Sequence, residues 1–98
     1  MNITSKQRAY LKSLANGIDP IFQVGKASLT PELVNAVDEA LEKREIIKLS
    51  VLKNCFDDPN EIADTMAGRT RSGVVQVIGK KIVLYRPSKK NPKIKLPR

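Results

Sequence analysis

Two short segments hold residue types that could grip a phosphate. The first, Val24-Gly25-Lys26-Ala27-Ser28-Leu29-Thr30, leads from an apolar run into a helix start. Gly25 lets the backbone turn closely, Lys26 puts a cation at the tip, and the helix start offers unpaired N–H groups. On spacing alone, a phosphate cradle and a plain strand-to-helix connection stay equally open. It is not a P-loop, since no Gly-Lys-Ser/Thr ending follows a four-residue spacer. The second segment, Gly68-Arg69-Thr70-Arg71-Ser72-Gly73, sets two arginines among glycines and hydroxyls. A guanidinium takes a phosphate through two parallel N–H bonds, and Thr70 and Ser72 add neutral donors. The plain alternative is a set of solvated loop charges.

The charge of the whole chain favours the phosphate reading. From Arg69 to the C-terminus there are ten basic side chains and no acidic one, whereas Thr30 to Asp64 carries nine carboxylates against four cations. The net charge of +8 is therefore polarised. A one-sided basic field attracts and orients polyanions, and nucleic acid is the partner it predicts. Lys80, Lys81, Arg86, Lys89 and Lys90 join Gly25, Lys26, Ala27, Ser28, Arg69, Thr70 and Arg71 as candidate contacts.

Catalysis finds little support. The chain has no histidine, which removes the commonest general base and transition-metal ligand. Cys55 is alone, so no disulfide or thiolate cluster is expected, and it reads as an ordinary thiol near a strand end. Asp38, Glu39 and Glu42 share the outer face of one helix and read as solvated; Asp57 and Asp58 belong to a helix start. We expect no catalytic residues, no metal and no cofactor. The four aromatics are Tyr10, Phe22, Phe56 and Tyr85, and no RNP pattern is present. Phe22 and Phe56 read as core, and Tyr85 as core or contact. Without stacking platforms, contacts should fall on phosphates and sugars, which favours folded RNA over loose single strands.

Three helices and four strands must position these groups. Thr4 with Gln7 is a capping box for a first helix, Leu11, Leu14, Ala15 and Ile18 form its apolar stripe, and Gly17 offers a left-handed stop. Lys6, Arg8 and Lys12 lie off that stripe as surface charge. Ile21 to Val24 reads as a buried strand. Thr30-Pro31-Glu32 opens a second helix whose core side is Leu33, Val34, Val37, Ala40 and Leu41. Ile46 to Leu52 alternates as a strand. A third helix runs from the cap Asp58, with Glu61 as capping-box partner, to about Ala67, with Gly68 as its stop. Val74–Ile78 and Ile82–Arg86 make a hairpin about Gly79-Lys80-Lys81. The order αβαβαββ predicts an α/β fold with a four-stranded mixed sheet and two parallel crossover pairings. At 98 residues the chain reads as one domain over 1–98, with a basic, proline-containing tail over 87–98. That tail is either extended in solvent or docked through Ile94 and Leu96. No run is long enough for a membrane span or shaped like a signal peptide, so a cytoplasmic protein is expected; we also expect a monomer.

The strings V-G-K-A-S-L-T-P, Val75-Gln76-Val77-Ile78-Gly79 and Val83-Leu84-Tyr85-Arg86-Pro87 occur in an order that resembles the CRM domain (chloroplast RNA splicing and ribosome maturation). The similarity is greatest to the bacterial single-domain, YhbY-type members, and extends over the Thr-Ser-Lys-Gln-Arg start and the Lys-Ile-Lys-Leu-Pro end. The resemblance implies an open α/β sandwich similar to the C-terminal domain of initiation factor three. It also implies RNA binding without catalysis, and association with structured rRNA in precursors of the large ribosomal subunit. Multi-domain plant relatives act in group II intron splicing. The family's GxxG loop maps onto Gly25, Lys26, Ala27 and Ser28, with Ser28 in place of the second glycine. A protein-interaction adaptor, docking a basic ribosomal protein on the acidic face of the second helix, is the alternative function.

Overall fold

Thr4 opens the first helix through the reciprocal cap its spacing predicts. Its hydroxyl accepts from the Gln7 N–H, and the Gln7 side chain accepts from the Thr4 N–H, both at 3.1 Å. In this computed structural model, which describes all residues 1–98, helix α1 spans Ser5–Ala15. Strand β1 (Phe22–Val24), helix α2 (Pro31–Arg44), strand β2 (Ile46–Val51) and helix α3 (Pro59–Thr70) follow. Strands β3 (Gly73–Ile78) and β4 (Lys81–Tyr85) close a mixed four-stranded sheet of order β1-β2-β4-β3. This is the expected α/β fold in the expected order.

Only one of the two predicted parallel pairings forms directly. β1 lies parallel to β2, with Phe22 opposite Leu49 and Val24 opposite Val51. β4 inserts between β2 and β3, antiparallel to both. Its composition explains the placement: Ile82, Val83, Leu84 and Tyr85 are all buried, and a strand apolar on both faces belongs in the middle of a sheet. On one face α2 and α3 enclose the main core, with Val37 and Leu41 over Ile47 and Leu49, and Ile62 and Met66 over Ile82 and Leu84. On the other, Leu11 and Ala15 of α1 cover Val75, Val83 and Tyr85. Gln23, Ser50, Lys81 and Ile78 continue that second face as successive cross-strand neighbours, and Gln23, Lys81 and Ile78 are exposed. Helix α1 therefore shields the half of this face near Tyr85 and leaves the hairpin half bare.

Several local expectations are corrected. Arg8 is not a free surface charge: its Nη1 donates to the carbonyls of Val74 and Val75, where a bulge between Val74 and Gln76 frees them from the ladder. Gly17 is not left-handed; α1 ends by tightening, with the Gly17 N–H donating to Leu14 and the Ile18 N–H to Ala15. Helix α3 runs through Gly68 to Thr70, and Arg71 takes the left-handed cap at φ 58°. Burial of Met66, Ala67 and Thr70 carries it one turn further, while Gly68 lies on its open side. The Asp58 carboxylate caps α3 by accepting from the Asn60 N–H, without the reciprocal Glu61 bond. Phe56 is not core: it is 90% exposed, and its neighbour Cys55 points inward instead. Phe22 is half-buried against the main core. Gly73 and Gly79 have distinct uses. A Cβ at Gly73 would lie 2.6 Å from the Ile3 side chain, and Gly79, at φ +56°, begins the two-residue hairpin turn.

The tail docks. Ile94 and Leu96 pack against the cluster under α1. Glu45 organises the attachment: it is 1% exposed, sits at φ 67°, and its carboxylate accepts from the N–H groups of Ser88, Lys93 and Ile94. Glu42 accepts from the Ser88 hydroxyl and from the Lys89 and Lys90 N–H groups. On the outer face of α2 the tail thus holds Glu42, while Asp38 and Glu39 stay exposed as expected.

These bonds make the attachment acid-sensitive. The Ser88 hydroxyl, then the Lys89 and Lys90 amides, hold the Glu42 carboxyl at about 2 instead of 4.5. For Glu45, burial pushes upward, but donation from Ser88, Ile94 and Lys93 outweighs it and the net direction is down. A depressed folded pKa gives stabilisation that is complete above the unfolded value and lost as pH falls through the folded one. The amide signals of Ser88 to Ile94 should therefore stay fixed at neutral pH. They should shift toward random-coil positions between 4.5 and about 2. Tail amides unmoved down to pH 2 would refute the carboxylate clip.

Candidate nucleic-acid interface

The sheet topology divides the predicted contact residues into two groups. Parallel pairing puts the carboxyl ends of β1 and β2 side by side, and the β3–β4 turn reaches the same end. There the Leu52 N–H donates to the Val24 carbonyl at 2.9 Å and the Val51 N–H to the Lys80 carbonyl at 2.7 Å. Gly25, Lys26, Ala27 and Ser28 therefore lie at the same end as Lys80 and Lys81. Arg69, Thr70, Arg71, Arg86, Lys89 and Lys90 gather at the other end, where α3 finishes and β4 leaves the sheet. The twelve residues of α3 separate the two ends by about 18 Å.

At the Gly25 end the backbone turns through a bond from the Ser28 N–H to the Gly25 carbonyl at 2.9 Å. Lys26 and Ala27 form the exposed tip. The left-handed residue is Ser28, at φ 56°, the position where a glycine would relax the loop. Gly25 needs no special backbone angle, and a Cβ there would meet only ordinary contacts of 3.7 Å or more, to Asn54 and Leu52. The fold tolerates a side chain at 25, so its absence keeps the backbone open to a close partner. The α2 start contributes less than its sequence promises: Pro31 has no N–H, and the Leu33 N–H is already taken by the Thr30 hydroxyl. Ser28 also shares a cleft with Asp57 and Glu61, which brings negative charge to that side of the loop. Replacing Ser28 by glycine should raise stability by about 0.5–1 kcal/mol through relief of the left-handed strain. An unchanged or lower midpoint in urea would contradict that strain.

Lys53 goes unmarked in the sequence, yet it follows β2 at this same end and is exposed. The crossover rule contained the signal, because parallel neighbours bring their carboxyl ends together, and ligands of α/β sheets collect there. Lys26, Lys53, Lys80 and Lys81 thus form one basic end. The bare half of the sheet beside it offers Gln23, Ser50 and Ile78. The Lys81 Nζ donates to the Ser50 hydroxyl at 2.6 Å, which leaves its charge unneutralised.

At the far end, two predicted contacts are structural. Thr70 is 1% exposed, and its hydroxyl bonds to the Met66 carbonyl and the Ser72 hydroxyl, so it is no free donor. Arg86 is 8% exposed and pairs with the Asp38 carboxylate, the Asp38 carbonyl and the Thr70 carbonyl, joining α2, α3 and β4. Only its Nε lacks a partner. Tyr85 lies under α1, where burial and then the Glu45 charge push its phenol up; it cannot stack on a base. Arg69, Arg71, Lys89 and Lys90 remain exposed.

The chain matches the family model described as the CRS1 / YhbY (CRM) domain over residues 3–86. It is 47% identical over 95 residues to the "Probable RNA-binding protein YqeI" of Bacillus subtilis, covering 97% of this chain and 99% of that one. It is 34% identical over 96 residues to an RNA-binding protein of Haemophilus influenzae, covering 98% and 96%. The solution structure of a hypothetical protein from Staphylococcus aureus is similar throughout, with a TM-score of 0.82 and 52% identity over 98% of this chain and 100% of that one.

Proposed function

The chain belongs to the CRS1 / YhbY (CRM) domain family, and on that premise we propose that it is a non-enzymatic, cytoplasmic, monomeric RNA-binding protein. In this reading it associates with structured rRNA in precursors of the large ribosomal subunit and assists their assembly, the role that the family resemblance implies. One observation carries the choice of surface. The Gly25 turn with its exposed Lys26 and Ala27, Lys53 and the Lys80–Lys81 turn converge at the carboxyl ends of β1 and β2, beside a bare half-sheet. Phosphates would lie against the four lysines and the open Gly25 backbone, with Gln23 and Ser50 reaching sugars or base edges.

The adaptor alternative keeps less of its surface: Asp38 pairs with Arg86 and Glu42 bonds to the tail, which leaves Glu39 as the carboxylate of that face without a partner.

Salt tests the RNA reading. Four phosphate contacts give a slope of log K against log salt of about −3 to −4. Recognition of A-form shape and 2′-hydroxyls also makes a paired RNA hairpin bind more tightly than a DNA duplex of the same sequence. A slope shallower than about −2, or equal affinities for the two duplexes at matched salt, would defeat the proposal.

A further inference from the structure

A cavity of about 310 Å³ opens at the end of the sheet remote from Gly25. Its accessible apolar wall is Ile18 and Ile21 before β1 and Ile46 in β2; Ile47 also borders it but is buried in the main core. Lys43 and Arg44 of the last α2 turn, Lys48 of β2 and Lys93 of the docked tail stand around it, with Asp19 the one acid. Part of this is explained by the fold. The Lys48 Nζ donates to the Ala15 carbonyl at 2.8 Å, and basic residues in a last helical turn complement the helix dipole. The rest is not. Lys43, Arg44 and Lys93 make no salt bridge, since Arg86–Asp38 is the only one in the chain, although the Lys93 charge lies near the Glu45 carboxylate. Lys93 reaches the rim because the Glu45 carboxylate holds its backbone N–H at 2.7 Å. Ile21 is left 38% exposed beside them.

Three cations outside any salt bridge, over an apolar wall, repel one another and keep aliphatic surface wet, unless a ligand is both apolar and anionic. The volume falls at the small end of the range for small-molecule sites. We infer that this cavity takes one unstacked nucleotide, its base on the isoleucine wall and its phosphate among Lys43, Arg44 and Lys93. The site is separate from the Gly25 end. It rests on the RNA-binding reading only for the choice of a nucleotide over other amphiphilic anions. Its occupant is either a looped-out nucleotide of bound RNA or a free nucleoside monophosphate, which present the same chemistry.

The test follows the isoleucine methyl signals of the full chain by NMR during four titrations: AMP, inorganic phosphate, a fully paired RNA hairpin, and that hairpin with one bulged nucleotide. AMP should shift the Ile18, Ile21 and Ile46 methyls with a Kd on the order of millimolar, and inorganic phosphate should not. The bulged hairpin should bind about five- to tenfold more tightly than the paired one, as expected for one added base contact. Ile21→Ser, at an exposed position, should abolish both effects and leave paired-hairpin affinity unchanged. A response to AMP alone assigns the site to free nucleotides, and a bulge preference alone assigns it to RNA; either supports the inference. Methyls that respond to neither, or as strongly to phosphate as to AMP, would overturn it. Failure of the paired hairpin to bind would count against the proposed function and leave the AMP arm decisive for the cavity.

Discussion

Replacing Glu45 by alanine should destabilise the protein by about 3–5 kcal/mol, the largest loss expected from any single carboxylate. The Glu45 carboxylate accepts three backbone N–H groups, from Ser88, Lys93 and Ile94, and hydrogen bonds to a charged group contribute about 1.5–3 kcal/mol each without full additivity. Its removal leaves those donors unpaired, with Ser88 buried. The tail would then lift, uncovering the cluster of Leu11, Val75, Val83 and Tyr85 against which Ile94 and Leu96 pack. For a chain of this size, such a loss lowers the melting temperature by roughly 12–30 °C. Glu45 also sits at φ 67°, where glycine costs less than alanine. Glu45→Gly should therefore be less damaging than Glu45→Ala by about 1 kcal/mol, although both lack the carboxylate. Urea denaturation of the two variants checks both statements. An alanine variant within about 1 kcal/mol of the native protein would remove Glu45 from the centre of the tail attachment.

Where local rules act alone, the sequence was legible. The Thr4–Gln7 box, the Thr30-Pro31 helix start, and the alternation of Ile47, Leu49 and Val51 depend on neighbours within a few residues, and each lies where spacing puts it. The unbroken run Ile82-Val83-Leu84-Tyr85 signals a central strand, since only a central strand buries both faces, but the hairpin expectation did not place it there. Three of the errors share a physical cause: a polar group satisfied by a partner far along the chain. Arg8 finds the bulge carbonyls of Val74 and Val75, Arg86 finds Asp38, and Glu42 finds Ser88, across separations no periodicity reports. Thr70 looked like a phosphate donor because helix α3 was cut at Gly68, and the buried Met66–Thr70 side extended it. The candidate site was half legible for the same reason. Both basic segments were visible, but their placement at opposite ends depends on β4 entering between β2 and β3.

That separation makes the two basic ends experimentally distinct. Replacing Lys26, Lys80 and Lys81 together by alanine should weaken hairpin-RNA binding by roughly a hundredfold or more at about 0.1 M salt. Each phosphate contact there contributes close to one decade through counterion release. The salt slope should become shallower by about 3, one unit for each contact removed. Stability should hardly change, because all three side chains are exposed and the Lys81–Ser50 bond is a surface one. Replacing Arg69 and Arg71 should cost about threefold or less. They lie about 18 Å from the Gly25 end along α3, against a screening length of about 10 Å at that salt, so their field there is weak. Filter binding of one hairpin across a salt series measures all of these quantities. Equal losses in the two variants would mean that RNA runs the whole length of the sheet, and the Gly25 end would then be only part of the interface. If the arginine pair were the costlier one, the contact surface would move to the end where α3 finishes, and the open backbone at Gly25 would need another explanation.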